Sequence, residues 1–144
     1  MIAPHVLFGD ASFYIALFSV RDVHHDRAIL WQQAMLAARS HVVTTERVLW
    51  EVLDGLSGLA TRSLAMSGYR ILRNDRRTEV VDSDAALAQE ALRLYESRGD
   101  KEWGITDCLS FTVMKMRGLS SALTADRHFE QAGFAALLLS EPTF

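Results

Sequence analysis

Short apolar segments alternating with amphipathic stretches predict an α/β/α sandwich around a mainly parallel sheet of four or five strands. Three observations carry this expectation. The segments Val6-Leu7-Phe8, His41-Val42-Val43, Glu79-Val80-Val81-Asp82 and Ala122 to Ala125 are brief and strand-like. Stretches with three-and-four apolar spacing separate them. Acidic residues follow directly on the first and fourth, and in such sheets the crevice beyond the carboxyl ends of the strands is the usual ligand edge.

The elements follow in order. Val6 to Phe8 reads as a buried strand and Asp10 ends it, after which Ser12 offers an N-cap to a helix through Tyr14, Leu17 and Phe18. A second helix is expected from about Asp26 to Ala38, with Ala28, Leu30, Trp31, Ala34 and Met35 on its apolar face. His41 to Val43 is the second strand. Thr44 or Thr45 then caps a helix whose stripe is Leu49, Val52, Leu53 and Leu56, with Glu46 suited to its positive N-terminal end.

Helical pattern resumes over Ala60 to Leu72, a polar loop covers Asn74 to Arg77, and Glu79 to Asp82 forms the third strand. Ser83 or Asp84 opens a helix with Leu87, Ala88, Ala91, Leu92 and Tyr95 on one face, stopped by Gly99. Thr106 is the expected cap of a helix from Asp107 to Arg117, ended by Gly118. Ala122 to Ala125 make the fourth strand and Ala135 to Leu139 a fifth.

Length and composition bound the organisation. The chain has 144 residues, 49% of them hydrophobic, with two prolines and no low-complexity run, so residues 1–144 are expected to form a single domain with a substantial core. One cysteine, Cys108, excludes an intrachain disulfide and fits a reducing compartment. The N-terminal segment lacks a basic n-region with an uninterrupted apolar run, and no stretch is long enough to span a bilayer. A cytoplasmic protein without membrane contact is the expectation.

Four acids stand out: Asp10, Glu51, Asp107 and Asp126. Asp10 and Asp126 each follow a strand and precede a helix. Asp107 lies four and seven positions before Phe111 and Met114, on their inward stripe. Glu51 interrupts the apolar run Val48 to Leu53. Taken singly, each has an ordinary reading: capping or helix-dipole compensation for the aspartates, the solvent edge of a stripe for Glu51.

Taken together they demand compensation. Two unit charges ~4 Å apart repel by about 4 kcal/mol at an effective dielectric near 20, too much for a marginally stable domain to bear several times over. Raised pKa values, basic partners or a hard divalent cation would answer this, and an oxygen-only set favours Mg²⁺ or Mn²⁺ over Zn²⁺. Ser12 and Thr124 would orient carboxylates or else cap and pack. His5, His24, His25, His41 and His128 show no paired ligand spacing with Cys108, so surface or packing roles are expected for them.

Net charge is −3, and setting the four acids aside leaves +1. An acidic total therefore does not exclude a nucleic acid, but phosphate contacts must come from local groups such as Arg73, Arg76, Arg77, Lys101, Lys115 and Arg127.

Four motifs carry a resemblance. Gly9-Asp10-Ala11-Ser12-Phe13, the run Thr44 to Leu53 around Glu51, the run Lys101 to Phe111 around Asp107, and Ala122 to Phe129 around Asp126 resemble, in order and spacing, PIN-domain proteins of the VapC-like ribonuclease toxin group. The resemblance spans almost the whole chain. It implies a PIN-like α/β/α fold and a metal-dependent endoribonuclease in which Asp10, Glu51, Asp107 and Asp126 bind Mg²⁺ or Mn²⁺ and carry catalysis. It further implies an RNA substrate, products with a 5′-phosphate and 3′-hydroxyl, a homodimer, and a cognate antitoxin covering the acidic groove.

Two other readings stay open. One is a non-catalytic PIN-like module that holds RNA or a protein partner. The other is a phosphatase of the haloacid dehalogenase type with Asp10 as nucleophile, although Ser12 stands where that chemistry wants a second aspartate.

Overall fold

A computed structural model of the chain describes residues 2–143. Five strands, β1 (Val6–Gly9), β2 (His41–Thr45), β3 (Thr78–Val81), β4 (Ser121–Leu123) and β5 (Ala135–Ala136), form one sheet in the order β3-β2-β1-β4-β5. Every pairing in it is parallel, with Phe8 of β1 beside Val43 of β2 and Ala122 of β4.

Helices α1 (Ala11–Phe18), α2 (His25–Ala38), α3 (Glu46–Gly55) and α4 (Arg62–Asn74) lie in the connections β1 to β2 and β2 to β3. Helices α5 (Ala85–Ser97), α6 (Ile105–Met116) and α7 (His128–Gln131) lie in the connections to β4 and β5. Right-handed crossovers in opposite directions from β1 place the two groups on opposite faces, giving the expected α/β/α sandwich. Covered on both faces, Leu7 and Phe8 of the central strand are wholly buried.

The chain leaves β1 toward β2 on one side and enters β4 on the other. That reversal is a topological switch point, and the crevice there opens at the carboxyl ends of β1 and β4. Asp10 and Asp126 stand at it.

Aromatic packing fixes the elements around the crevice. The rings of Phe111 (α6) and Phe129 (α7) meet edge to face at 4.9 Å, and Trp103 meets Phe111 at 5.0 Å. Across the sheet, Tyr14 packs so closely on β1 that a Cβ at Gly9 would sit 2.5 Å from its hydroxyl oxygen. The tyrosine is buried, so a Cβ there forces its ring to shift within the core. Gly9→Ala is therefore expected to cost roughly 1–3 kcal/mol, a fall in Tm of about 5 °C or more by calorimetry.

Several boundaries differ from the sequence expectation, each for a local reason. Helix α1 starts at Ala11 with Asp10 at its N-cap, so Ser12 is not the cap; its hydroxyl is engaged elsewhere. Thr45 is the cap of α3, accepting from the Val48 N–H at 3.1 Å. Gly104, not Thr106, caps α6, because Asp107 three residues on accepts the Gly104 N–H at 3.2 Å. Strand β4 ends at Leu123 because the next N–H groups turn to hydroxyls: Ala125 N donates to Ser12 Oγ and Asp126 N to Thr124 Oγ1.

The fifth strand is two residues long, and Leu137–Leu139 is a 3₁₀ turn. On α5 the inward residues are Leu87, Ala91 and Leu94, while Leu92 and Tyr95, one position further round, are exposed. Asn74 belongs to α4, and Arg73 there is held by Glu46 and Asp82, which removes it from the set of free phosphate contacts.

Candidate metal centre

Four elements deliver the four acids to one crevice. Asp10 arrives from the end of β1, Glu51 from the second turn of α3, Asp107 from the first turn of α6, and Asp126 from the turn after β4. All four line the same cavity, together with Ser12, Ile15, Glu102, Gly104 and His128.

Asp10 is the buried member, 6% exposed. Its Oδ2 accepts the Thr124 hydroxyl at 2.7 Å and the Ser12 hydroxyl at 3.1 Å. Those hydroxyls in turn accept the Ala125 and Asp126 N–H groups, so the turn after β4 and the start of α1 are tied through one carboxylate. Both side chains thus act on the carboxylate, the orienting role weighed for them from sequence. Burial pushes the Asp10 carboxyl up to about 6, against the opposing pull of the Thr124 hydroxyl and the Ala11 N–H, and the Asp107 charge raises it further.

Glu51 is exposed as a residue while its carboxyl end is partly enclosed. That enclosure, followed by the charges of Asp10 and Asp107, pushes it up to about 7 despite Arg47. Asp107 is also raised, first by burial and then by Asp126, with His128 and the Gly104 N–H pulling the other way. Asp126 Oδ1 accepts the His128 N–H at 2.9 Å.

The ordinary roles considered from sequence are partly present: Asp107 accepts the N–H of the cap residue Gly104, and Asp126 satisfies a nearby backbone N–H. Neither contact uses both carboxylate oxygens. Glu46, in the first turn of the same helix, turns instead to Arg73.

His128 is the residue that sequence reasoning placed wrongly. Its Nδ1 lies 3.1 Å from Asp107 Oδ2 and 3.4 Å from Asp126 Oδ1. Ligand atoms of Asp107, Asp126 and His128 all fall within 4.8 Å of one another. Searching for histidines paired with Cys108 missed the signal; Asp126-x-His128, with Phe129 anchored in the core, carried it.

This donor set fits a divalent cation. Three of the acids have raised pKa values because like charges and burial oppose their ionisation, and a bound cation reverses that penalty. Hard oxygen donors dominate, as Mg²⁺ and Mn²⁺ require.

Carboxylates gathered at the switch point of a parallel sheet define an α/β protein with an acidic centre at its ligand edge. More particularly, the chain belongs to the PIN domain family, whose family model matches residues 7–135. The 23S rRNA-specific endonuclease VapC20 of Mycobacterium tuberculosis is 30% identical over 131 residues, covering 90% of this chain and 95% of that protein. The crystal structure of VapC20 from the same organism, described as a Sarcin-Ricin loop cleaving toxin, superimposes with a TM-score of 0.81 at 26% identity. It covers 94% of this chain and 99% of its own. VapBC2 from Rickettsia felis, solved with a promoter DNA fragment, has a TM-score of 0.62 at 17% identity and covers 91% of this chain and 96% of its own; it shares the fold.

Proposed function

We propose that the chain is a metal-dependent endoribonuclease acting as the toxin of a toxin-antitoxin pair, with residues 1–144 forming its nuclease domain. The observation that carries this is the delivery of Asp10, Glu51, Asp107 and Asp126 by four separate elements to one crevice. Likeness to an rRNA-specific endonuclease over nine-tenths of the chain supports it.

These four carboxylates would hold Mg²⁺ or Mn²⁺. Such a cation, when bound, lowers the pKa of water and offsets charge building on the phosphoryl oxygens. Ser12 and Thr124 keep Asp10 in one rotamer by donating to Oδ2. Glu51, whose carboxylate lines the crevice and has no hydrogen-bond partner among the described residues, would accept a proton from the attacking water. Water adds to phosphorus, the bond to the 3′-oxygen breaks, and the products are a 5′-phosphate and a 3′-hydroxyl. Lys101, in the loop before α6, offers a phosphate contact, while Arg127, one residue past Asp126, is paired with Glu130.

A structured ribosomal RNA loop is the proposed substrate class, and its chemistry would be done in the cytoplasm. Among the described residues, no helix is long and apolar enough to cross a membrane. A cognate antitoxin and a second copy of the chain are the proposed protein partners. Exposed apolar side chains at Trp50 and Leu59, 47% and 101% exposed, support a protein partner.

The test is incubation of the purified protein, freed of any co-purified inhibitor by refolding, with ribosomes, isolated rRNA stem-loops and transfer RNA. Discrete cutting within an rRNA loop is expected. RNA that is bound yet uncut in every metal condition would favour the non-catalytic module, and trapping of a phosphoryl group on Asp10 the phosphatase.

A further inference from the structure

His128 is unlike the other four histidines. His25, for instance, is spent on a backbone carbonyl, with its Nδ1 2.7 Å from Ala16 O. His128 instead turns its Nδ1 into the crevice between two carboxylates, where a positive charge is wanted. Its neighbour Phe129 is wholly buried against Phe111, so the backbone that aims the ring is fixed by the core.

The distances suit ligands of one ion. Donors held at 2.0–2.2 Å from an octahedral cation lie about 3.0 Å apart when adjacent. Nδ1 stands 3.1 Å and 3.4 Å from the nearest oxygens of Asp107 and Asp126, and neither distance needs a change of element to close. The oxygens are also steadied from behind, by the Gly104 N–H on Asp107 Oδ2 and the His128 N–H on Asp126 Oδ1. Backbone support of this kind orients ligands around a metal.

We infer that His128 supplies Nδ1 as a nitrogen ligand to the cation held by Asp107 and Asp126, tilting the site from Mg²⁺ toward Mn²⁺ and later first-row ions. This rests on the metal-centre reading above and adds a ligand to it. A neutral imidazole adds no charge, so the gain is one of ligand type: Mg²⁺ favours oxygen and water, whereas affinity for nitrogen donors rises along the transition series. In the metal-free protein the same ring nitrogen can carry the proton and donate to Asp107; as a neutral ligand through Nδ1 the ring would carry its one proton on Nε2.

The experiment is Mn²⁺ electron paramagnetic resonance on the full chain, with electron spin echo modulation to detect bound nitrogen, on the parent and on His128→Gln. Dissociation constants for Mn²⁺ and Mg²⁺ are measured beside it by titration calorimetry. Expected are a directly bound ¹⁴N coupling in the parent, its loss in H128Q, a Mn²⁺ Kd weakened about 10-fold, and a Mg²⁺ Kd changed by less than about 3-fold. Bound Mn²⁺ without nitrogen coupling in the parent, or coupling that survives in H128Q, would overturn the His128 assignment and leave the carboxylate centre standing. Failure of the parent to bind Mn²⁺ at all would overturn both.

Discussion

Asp10→Asn is expected to lower RNA cleavage by about 10³-fold or more while giving a protein that, in EDTA at neutral pH, melts higher than its parent. Both effects come from one burial. Asp10 is 6% exposed and faces the charge of Asp107, so its ionised form is held at a cost. The amide removes that charge and keeps a carbonyl oxygen to accept the Thr124 and Ser12 hydroxyls. What it cannot do is compensate a cation. Cleavage against a labelled RNA and calorimetric melts in EDTA and in Mn²⁺ check the two halves; a variant that melts lower in EDTA would show Asp10 to be structural.

The second large effect is a pH dependence that the cation abolishes. Folded Asp10 titrates at about 6, against a reference of 3.8. Below pH 4 both folded and unfolded chains carry the proton, and the site costs nothing. Between about 4 and 6 the unfolded chain releases it first, so stability falls as pH rises, and the loss persists above 6. Two units correspond to about 3 kcal/mol. Glu51, raised to about 7, extends the fall in the same direction toward neutrality, by an amount its exposure makes small. About half of the Asp10 share is already lost at pH 5, so the metal-free protein should melt on the order of 3–6 °C lower at pH 7.5 than at pH 5 from these groups, and saturating Mn²⁺ should remove most of the difference. Asp10→Asn isolates its share, since its melting curve should be flatter over pH 4 to 6. Parallel curves for the two proteins would contradict the assignment.

Much of the layout was legible because the strands announce themselves. Leu7 and Phe8 belong to a short run with no polar face, and Asp10 follows at once; Leu123 and Asp126 repeat the pattern. Since chain direction and strand end are both written there, so is the edge of the sheet on which those acids emerge. Helix α5 was less legible: Leu92 and Tyr95 match an apolar stripe as well as Leu94 does, and only the packed partner decides between faces one residue apart.

At the site, the acids could be chosen by position, but their second functions could not. The Gly104 N–H that Asp107 accepts displaced Thr106 as the cap, a choice that depends on the path of the loop before α6. Ser12 matched an N-cap by sequence, yet its hydroxyl is drawn to Asp10 and to the Ala125 N–H across the crevice. His128 was hidden because its partners come from a helix 21 residues away as well as from its own turn. Long-range juxtaposition of this kind leaves no periodic trace.

The most direct test of the central claim is end-group analysis of RNA cut by the purified chain in Mn²⁺, Mg²⁺ and EDTA. Cutting that requires the cation and leaves a 5′-phosphate and a 3′-hydroxyl is the predicted result, since water is the nucleophile at a carboxylate-held metal. Cutting that persists in EDTA and leaves a 2′,3′-cyclic phosphate would contradict it, because the ribose hydroxyl would then be the nucleophile and the four carboxylates would have no part in the reaction.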